Sequence, residues 1–204
     1  YVLASVLALA AEAALLSSAW RWGSRGPHGE DDAGVATAAF ALIVVQALLG
    51  MWTVTWLLKP AVVMAHLLGG MGTLSLLAWL AWRATPSAAW VRSDAARLRP
   101  LLVVGVALLA VQIALGGWTS ANYAALACGM DFPTCLGQWW PQTDFGEGFV
   151  LWRGIGVDYE GGVLDGPART AIHLSHRLFA LLVFGHLAAL AARLLRSGLA
   201  GWAA

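Results

Sequence analysis

Five stretches of this chain, approximately 1–20, 36–58, 61–82, 101–119 and 170–195, are each about twenty residues long and almost wholly apolar. A hydrocarbon core about 30 Å thick is crossed by roughly 20 residues of helix. Inside lipid every backbone N–H and C=O must be bonded within its own segment, so runs of this kind leave little choice but membrane helices. Composition agrees, since 60% of the 204 residues are hydrophobic and 11% are charged. With a mean hydropathy of +0.72, too little polar surface remains to coat a water-soluble globule. The expected fold is all-α, a polytopic transmembrane helix bundle with five spans. A net charge of +1 and the lack of a basic patch with interleaved aromatics set nucleic-acid binding aside.

Charge in the loops orients the spans. The segment RWGSRGPHGEDD separates the first two runs, RATPSAAWVRSDAARLRP with Arg83, Arg92, Arg97 and Arg99 separates the third and fourth, and Arg193 and Arg196 follow the fifth. The positive-inside rule places these three regions in the cytoplasm. The tight turn around Pro60 and the long loop 120–169 are then outside. That loop holds Arg153 and Arg169 against Asp131, Asp144, Glu147, Asp158, Glu160 and Asp165. Both cysteines, Cys128 and Cys135, lie in it. A close pair outside the cytoplasm reads as a disulfide before a metal site, with two free thiols as the alternative. No secretory signal is recognisable, and the chain opens inside a helix at its outer end, as an interior piece of something longer would.

An internal repeat carries the chemistry. VQALLGMWTV at 45–54 returns as VQIALGGWTS at 111–120, matching Gln46 with Gln112, Gly50 with Gly116, Trp52 with Trp118 and Thr53 with Thr119. Each copy ends an inside-to-outside helix whose external connection leads to a returning helix with a histidine. The shared unit is thus one hairpin per histidine. His66 lies six residues beyond Pro60, roughly 9 Å into the membrane, and His176 lies at a similar depth in the fifth run. Ionisable side chains in a bilayer face a bundle interior or a ligand, and two histidines at one depth suit heme ligation or a shared metal. Close helix packing is the plain alternative, which Gly69, Gly70 and Gly72 would also serve. His173 shares a helix face with His176. Arg177 is placed to pair with an acidic group or to snorkel to lipid phosphate. His186, about 15 Å deeper than His176, reads as a packing or hydrogen-bonding residue, and Glu12 in the first run reads as a polar helix contact, with a proton relay as the alternative. His28 falls in a solvated loop.

The segments LGMWTVTWLLKPAVVMAHLLGG, LGGWTSANYAALACGMDFPTC and FGEGFVLWRGIGVDYEGGVLDGPARTAIHLSHR together resemble the heme A synthase family of bacteria and mitochondria, most of all its proteobacterial branch. The resemblance runs from about Phe40 to Arg177, and N-x-Y-A-A-L-A-C with D-F-P-T-C is its most specific part. It implies an eight-helix protein of two four-helix bundles that oxidises the C8 methyl group of heme O to the formyl group of heme A. On that pattern, 1–83 would be helices two to four of the first bundle, 84–100 a cytoplasmic linker, and 101–204 helices five and six with their long external loop.

The same resemblance makes His66 a ligand at the substrate-heme site and His176 a ligand of a heme b, each through iron, with Arg177 beside the propionates. It implies a disulfide between Cys128 and Cys135, and a position close to His176 for His173. The glutamate that the family uses in catalysis would lie upstream of Tyr1, so no catalytic residue is expected here, and this piece alone is expected to be inactive. Implied partners are heme O, heme A, membrane lipid, heme O synthase and terminal oxidase assembly factors, with a homo-oligomer allowed. The implied location is the bacterial inner membrane, crossed several times, with 120–169 on the periplasmic side. Oxidising an unactivated methyl group calls for a redox cofactor more than for acid–base side chains. A diheme b-type electron carrier, or a transporter or chaperone whose histidines only pack helices, are the rival readings.

Overall fold

A computed structural model of the chain describes residues 29–83 and 97–196. They form α1 (Gly29–Thr55), α2 (Pro60–Arg83), α3 (Arg99–Ala121), the single turn α4 (Phe145–Gly148) and α5 (Gly166–Arg196). Among the described residues the only extended pairing is an isolated bridge between Cys135 and Gln138. Four of these helices are long and apolar enough to cross a membrane. The protein is therefore an all-α, multi-pass helix bundle, as expected. The expected first span, with Glu12, and His28 lie outside the described residues.

Helix ends follow local chemistry. Pro60 opens α2, where its missing N–H is no loss, and the Lys59 carbonyl accepts from Val62 and Val63 at 3.0 and 3.1 Å. Pro100 does the same for α3. The α1 terminus is closed by Leu58 N–H on Thr53 O (2.9 Å) and Leu57 N–H on Val54 O (3.1 Å). The α3 terminus is closed by Ala124 N–H on Thr119 O (2.9 Å) and Tyr123 N–H on Ser120 O (3.1 Å). These are one bond pattern at equivalent positions of the repeat, the paired closure that ends a helix on a left-handed residue. The left-handed residues at these closures are Leu57 (φ 53°) and Tyr123 (φ 53°), where glycine is usual, and in the first copy Leu58 (φ 59°) follows in the same region. Each carries roughly 1–2 kcal/mol of local strain that the surrounding contacts must offset.

The described residues fall into two compact units. The first holds α1 up to Met51 and α2 from Ala65. Its small core is Ala39 and Ile43 against Leu76 and Leu77. Val44, Val45, Leu48 and Leu74 point outward, as side chains facing acyl chains do.

The second unit holds the turn 52–64 with α3, α4, α5 and the long loop. Trp118, Ala124, Leu164, Ala168 and Ile172 form its core, with Ala61, Met64 and Phe149 packed on them. Trp118 donates its indole N–H to Gly148 O at 2.9 Å, which ties α4 to α3. Gly148 has no room for a side chain, because a Cβ there would lie 2.8 Å from the Ala168 carbonyl oxygen. The loop also returns over the turn: Tyr159 N–H bonds Leu57 O at 3.1 Å. Lys59, only 2% exposed, donates to Gly154 O and lies 3.5 Å from the centre of the Trp152 ring. Buried ammonium groups need such partners, here a carbonyl and an aromatic face.

Candidate functional site

Both halves of the repeat do the same thing with their glycine. In the first unit Gly50 of α1 faces His66 of α2, and a Cβ at Gly50 would stand 3.3 Å from His66 Cε1. In the second unit Gly116 of α3 faces His176 of α5, and a Cβ would stand 3.2 Å from His176 Cε1. Each histidine therefore presents the same ring corner to a helix whose side chain is missing at that point. The spacing of four residues between glutamine and glycine puts both on one helix face.

The glutamines part company. Gln112 Nε2 lies 3.0 Å from His176 Nδ1 and donates to His176 O at 3.3 Å. Gln46 instead lies over Gly69, one helical turn beyond His66, so closely that a Cβ at Gly69 would fall 1.8 Å from its Nε2. Its amide nitrogen and oxygen are buried with no hydrogen-bond partner, as is Gln112 Oε1. Phe179 stands three residues after His176, where Gly69 stands three after His66.

A lobe closed by the Cys128–Cys135 disulfide packs its two buried cysteines on Leu174 of α5. The residues flanking His176 hold this lobe. His173 Nδ1 accepts Cys128 N–H at 3.3 Å. Arg177 donates to Thr134 O at 3.2 Å and Asp131 O at 2.8 Å, and its guanidinium lies 5.3 Å from the Phe132 ring centre. Arg177 thus clamps the loop, a role that reading the sequence missed because loop carbonyls forty residues away have no signature. His186 donates to Leu101 O at 3.0 Å near the far end of α5. A cavity of about 520 Å³ opens where the long loop meets the start of α5, lined by Tyr123, Leu126, Gln138, Gln142, Arg169 and Thr170 among others. None of its walls is a histidine, so an iron would not sit there.

Among the described residues no three histidine, cysteine or acidic side chains converge on one point. In each unit one imidazole on an apolar helix is seated against the glycine of the repeat, and in the second unit His186 is likewise seated against Gly105, where a Cβ would stand 3.4 Å from its Nε2. Either imidazole, His66 or His176, could hold a heme iron.

A family model described as cytochrome oxidase assembly protein matches residues 2–203. The chain belongs to that family. A curated relative, the heme A synthase of Shewanella oneidensis, is 46% identical over 155 residues, covering 75% of this chain and 46% of that protein. The chain thus spans about half the length of this relative. No solved structure matches it significantly. The resemblance to heme A synthases that the motifs carried is borne out by both matches. Lys59 escaped notice in the sequence, where a lysine beside a proline turn reads as solvated, and only the folded loop reveals its burial.

Proposed function

We propose that the intact protein is a heme A synthase, oxidising the C8 methyl group of heme O to the formyl group of heme A for a terminal oxidase. The observation that carries the reading is the pair of hairpins, each seating one histidine against the glycine of a repeated V-Q-x-x-L-G-x-W-T segment. The kinship to a curated heme A synthase supports it.

His66 would hold the iron of the substrate, heme O, and His176 that of a resident heme b. A heme held at His176 supplies one-electron redox chemistry. The chain's own work is positioning and exclusion. Gly50 and Gly116 let the imidazoles lie close against their neighbouring helices, which limits ring rotation. The apolar flanks of α1 and α2 suit an isoprenoid tail. Arg177 and His173 draw the disulfide lobe onto the outer end of α5, so water reaches His176 less easily from that side. Arg177 still offers its charge to a propionate beside the lobe.

The two units would belong to the two four-helix bundles of an eight-helix protein in a bacterial inner membrane, with 120–169 in the periplasm. Heme O synthase and oxidase assembly factors are the proposed partners. The experiment is to supply heme O to the intact protein and extract the hemes. His66→Ala should abolish heme A while the spectrum of the His176 heme persists. Finding only heme b in the wild-type extract, or equal loss of both signals in His66→Ala, would overturn the assignment.

A further inference from the structure

We propose that Gln112 is a positioning residue for His176: it holds imidazole Nδ1 and thereby presents Nε2, in one ring orientation, to the heme iron. The inference rests on the reading of His176 as a heme ligand. Its basis is the double attachment of one amide, 3.0 Å from Nδ1 and 3.3 Å from the backbone carbonyl of the same residue. With Gly116 packed at Cε1, one ring corner is bonded and the next is in contact. The bond at Nδ1 opposes rotation about the Cβ–Cγ bond, and the ring nitrogen left over is Nε2.

A neutral imidazole that gives its Nε2 lone pair to a metal carries its proton on Nδ1, and that proton needs an acceptor. A primary amide serves both states. Its NH2 donates to Nδ1 when the lone pair is there; when the proton is there, a half-turn about the last side-chain bond brings in the carbonyl and gives up the bond to His176 O. Gln112 Oε1 is buried without a partner, so an acceptor stands ready beside the ring. Bonding of Nδ1–H to that oxygen makes the imidazole a stronger donor and favours ferric over ferrous iron. Gln46, lying over Gly69, is not on the His66 ring, so the hold belongs to the second hairpin.

The test is redox potentiometry and heme retention on the intact protein loaded with its heme. Gln112→Leu removes the acceptor at similar volume. The midpoint of the His176 heme should rise, and its affinity should fall about 10–100-fold. Gln112→Glu, a stronger acceptor of the same shape, should lower the midpoint. A merely structural role would reduce heme content without moving the midpoint of the heme that remains. Wild-type midpoints in both variants would overturn the proposal, and if Gln112→Leu does not accumulate, a wild-type midpoint in Gln112→Glu alone does so. His176→Ala separates the two readings. If its heme spectrum persists, the ligand assignment itself fails; if the heme is lost while both Gln112 variants are silent, only the role of Gln112 fails.

Discussion

Replacing Gly116 puts the contact between repeat and histidine under direct strain. A Cβ at this position stands 3.2 Å from His176 Cε1, about 0.3 Å inside an ordinary carbon–carbon contact of roughly 3.5 Å. Gly116→Ala gains about 1 kcal/mol of helix propensity and costs about 1–3 kcal/mol for overpacking. The result should lie between neutral and about 2 kcal/mol destabilised. Gly116→Val adds two methyl groups on a branched carbon that has no free direction beside the ring. The imidazole must swing away, giving up the Gln112 bond, worth about 1 kcal/mol net, on top of the upper end of the overpacking cost. A total of about 4 kcal/mol corresponds to roughly three powers of ten in heme affinity if it falls on the heme-bound form. Heme content per protein, with the two hemes separated by potentiometric titration, reads the effect. Gly116→Val should empty the His176 position and spare the His66 position, and Gly50→Val should do the reverse. A Gly116→Val protein that keeps its His176 heme with an unaltered spectrum would show that the close approach is incidental.

The other expectations concern the external loop. Serine at both Cys128 and Cys135 opens a ring of seven-residue separation, worth about 2.5 kcal/mol of loop entropy; amide exchange across the lobe should quicken, and unchanged exchange would mean that Arg177 and His173 order it unaided. Lys59→Ala removes the bond to Gly154 and the stem against Trp152, a loss of about 2–4 kcal/mol. The Tyr159 amide bonded to Leu57 should then exchange faster, and equal rates in both proteins would refute the buried-lysine role. Burial pushes the Tyr159 phenol above its ordinary value, with Arg153 pulling weakly the other way. The folded state then keeps the proton that the unfolded chain releases near pH 10, so this contribution is intact below pH 10 and lost as pH rises through the folded value. Ultraviolet titration of wild type against Tyr159→Phe should show the late phenolate, and an ordinary titration midpoint would exclude the burial.

The chain's apolar runs made the membrane helices legible, because a bilayer demands an unbroken run for each crossing and tolerates few substitutes. α2 begins at Pro60 and α3 at Arg99, each within two residues of expectation, while α5 begins four residues earlier than the apolar run, at Gly166. The difference is physical: the first turn of α5 belongs to the loop, started by Asp165 Oδ1 accepting Ala168 N–H at 2.9 Å. Local sequence therefore marks the apolar run and not the first turn that precedes it.

The repeat itself was plain in the sequence, as was the pairing of each copy with one returning histidine. What a string of letters withholds is which atoms meet. Gln46 and Gln112 are the same residue in the same motif, yet one lies over Gly69 and the other on an imidazole nitrogen. Three residues past the histidine the chain has glycine in one case and phenylalanine in the other, and Gln46 occupies the space over that glycine. In the same way, Arg177 was readable as a cation at the outer interface but not as the clamp on Asp131 and Thr134. Spans, kinship and candidate ligands follow from patterns local in the chain. Ring orientation, loop anchoring and the burial of Lys59 arise from contacts between distant segments, and those exist only once the helices have packed.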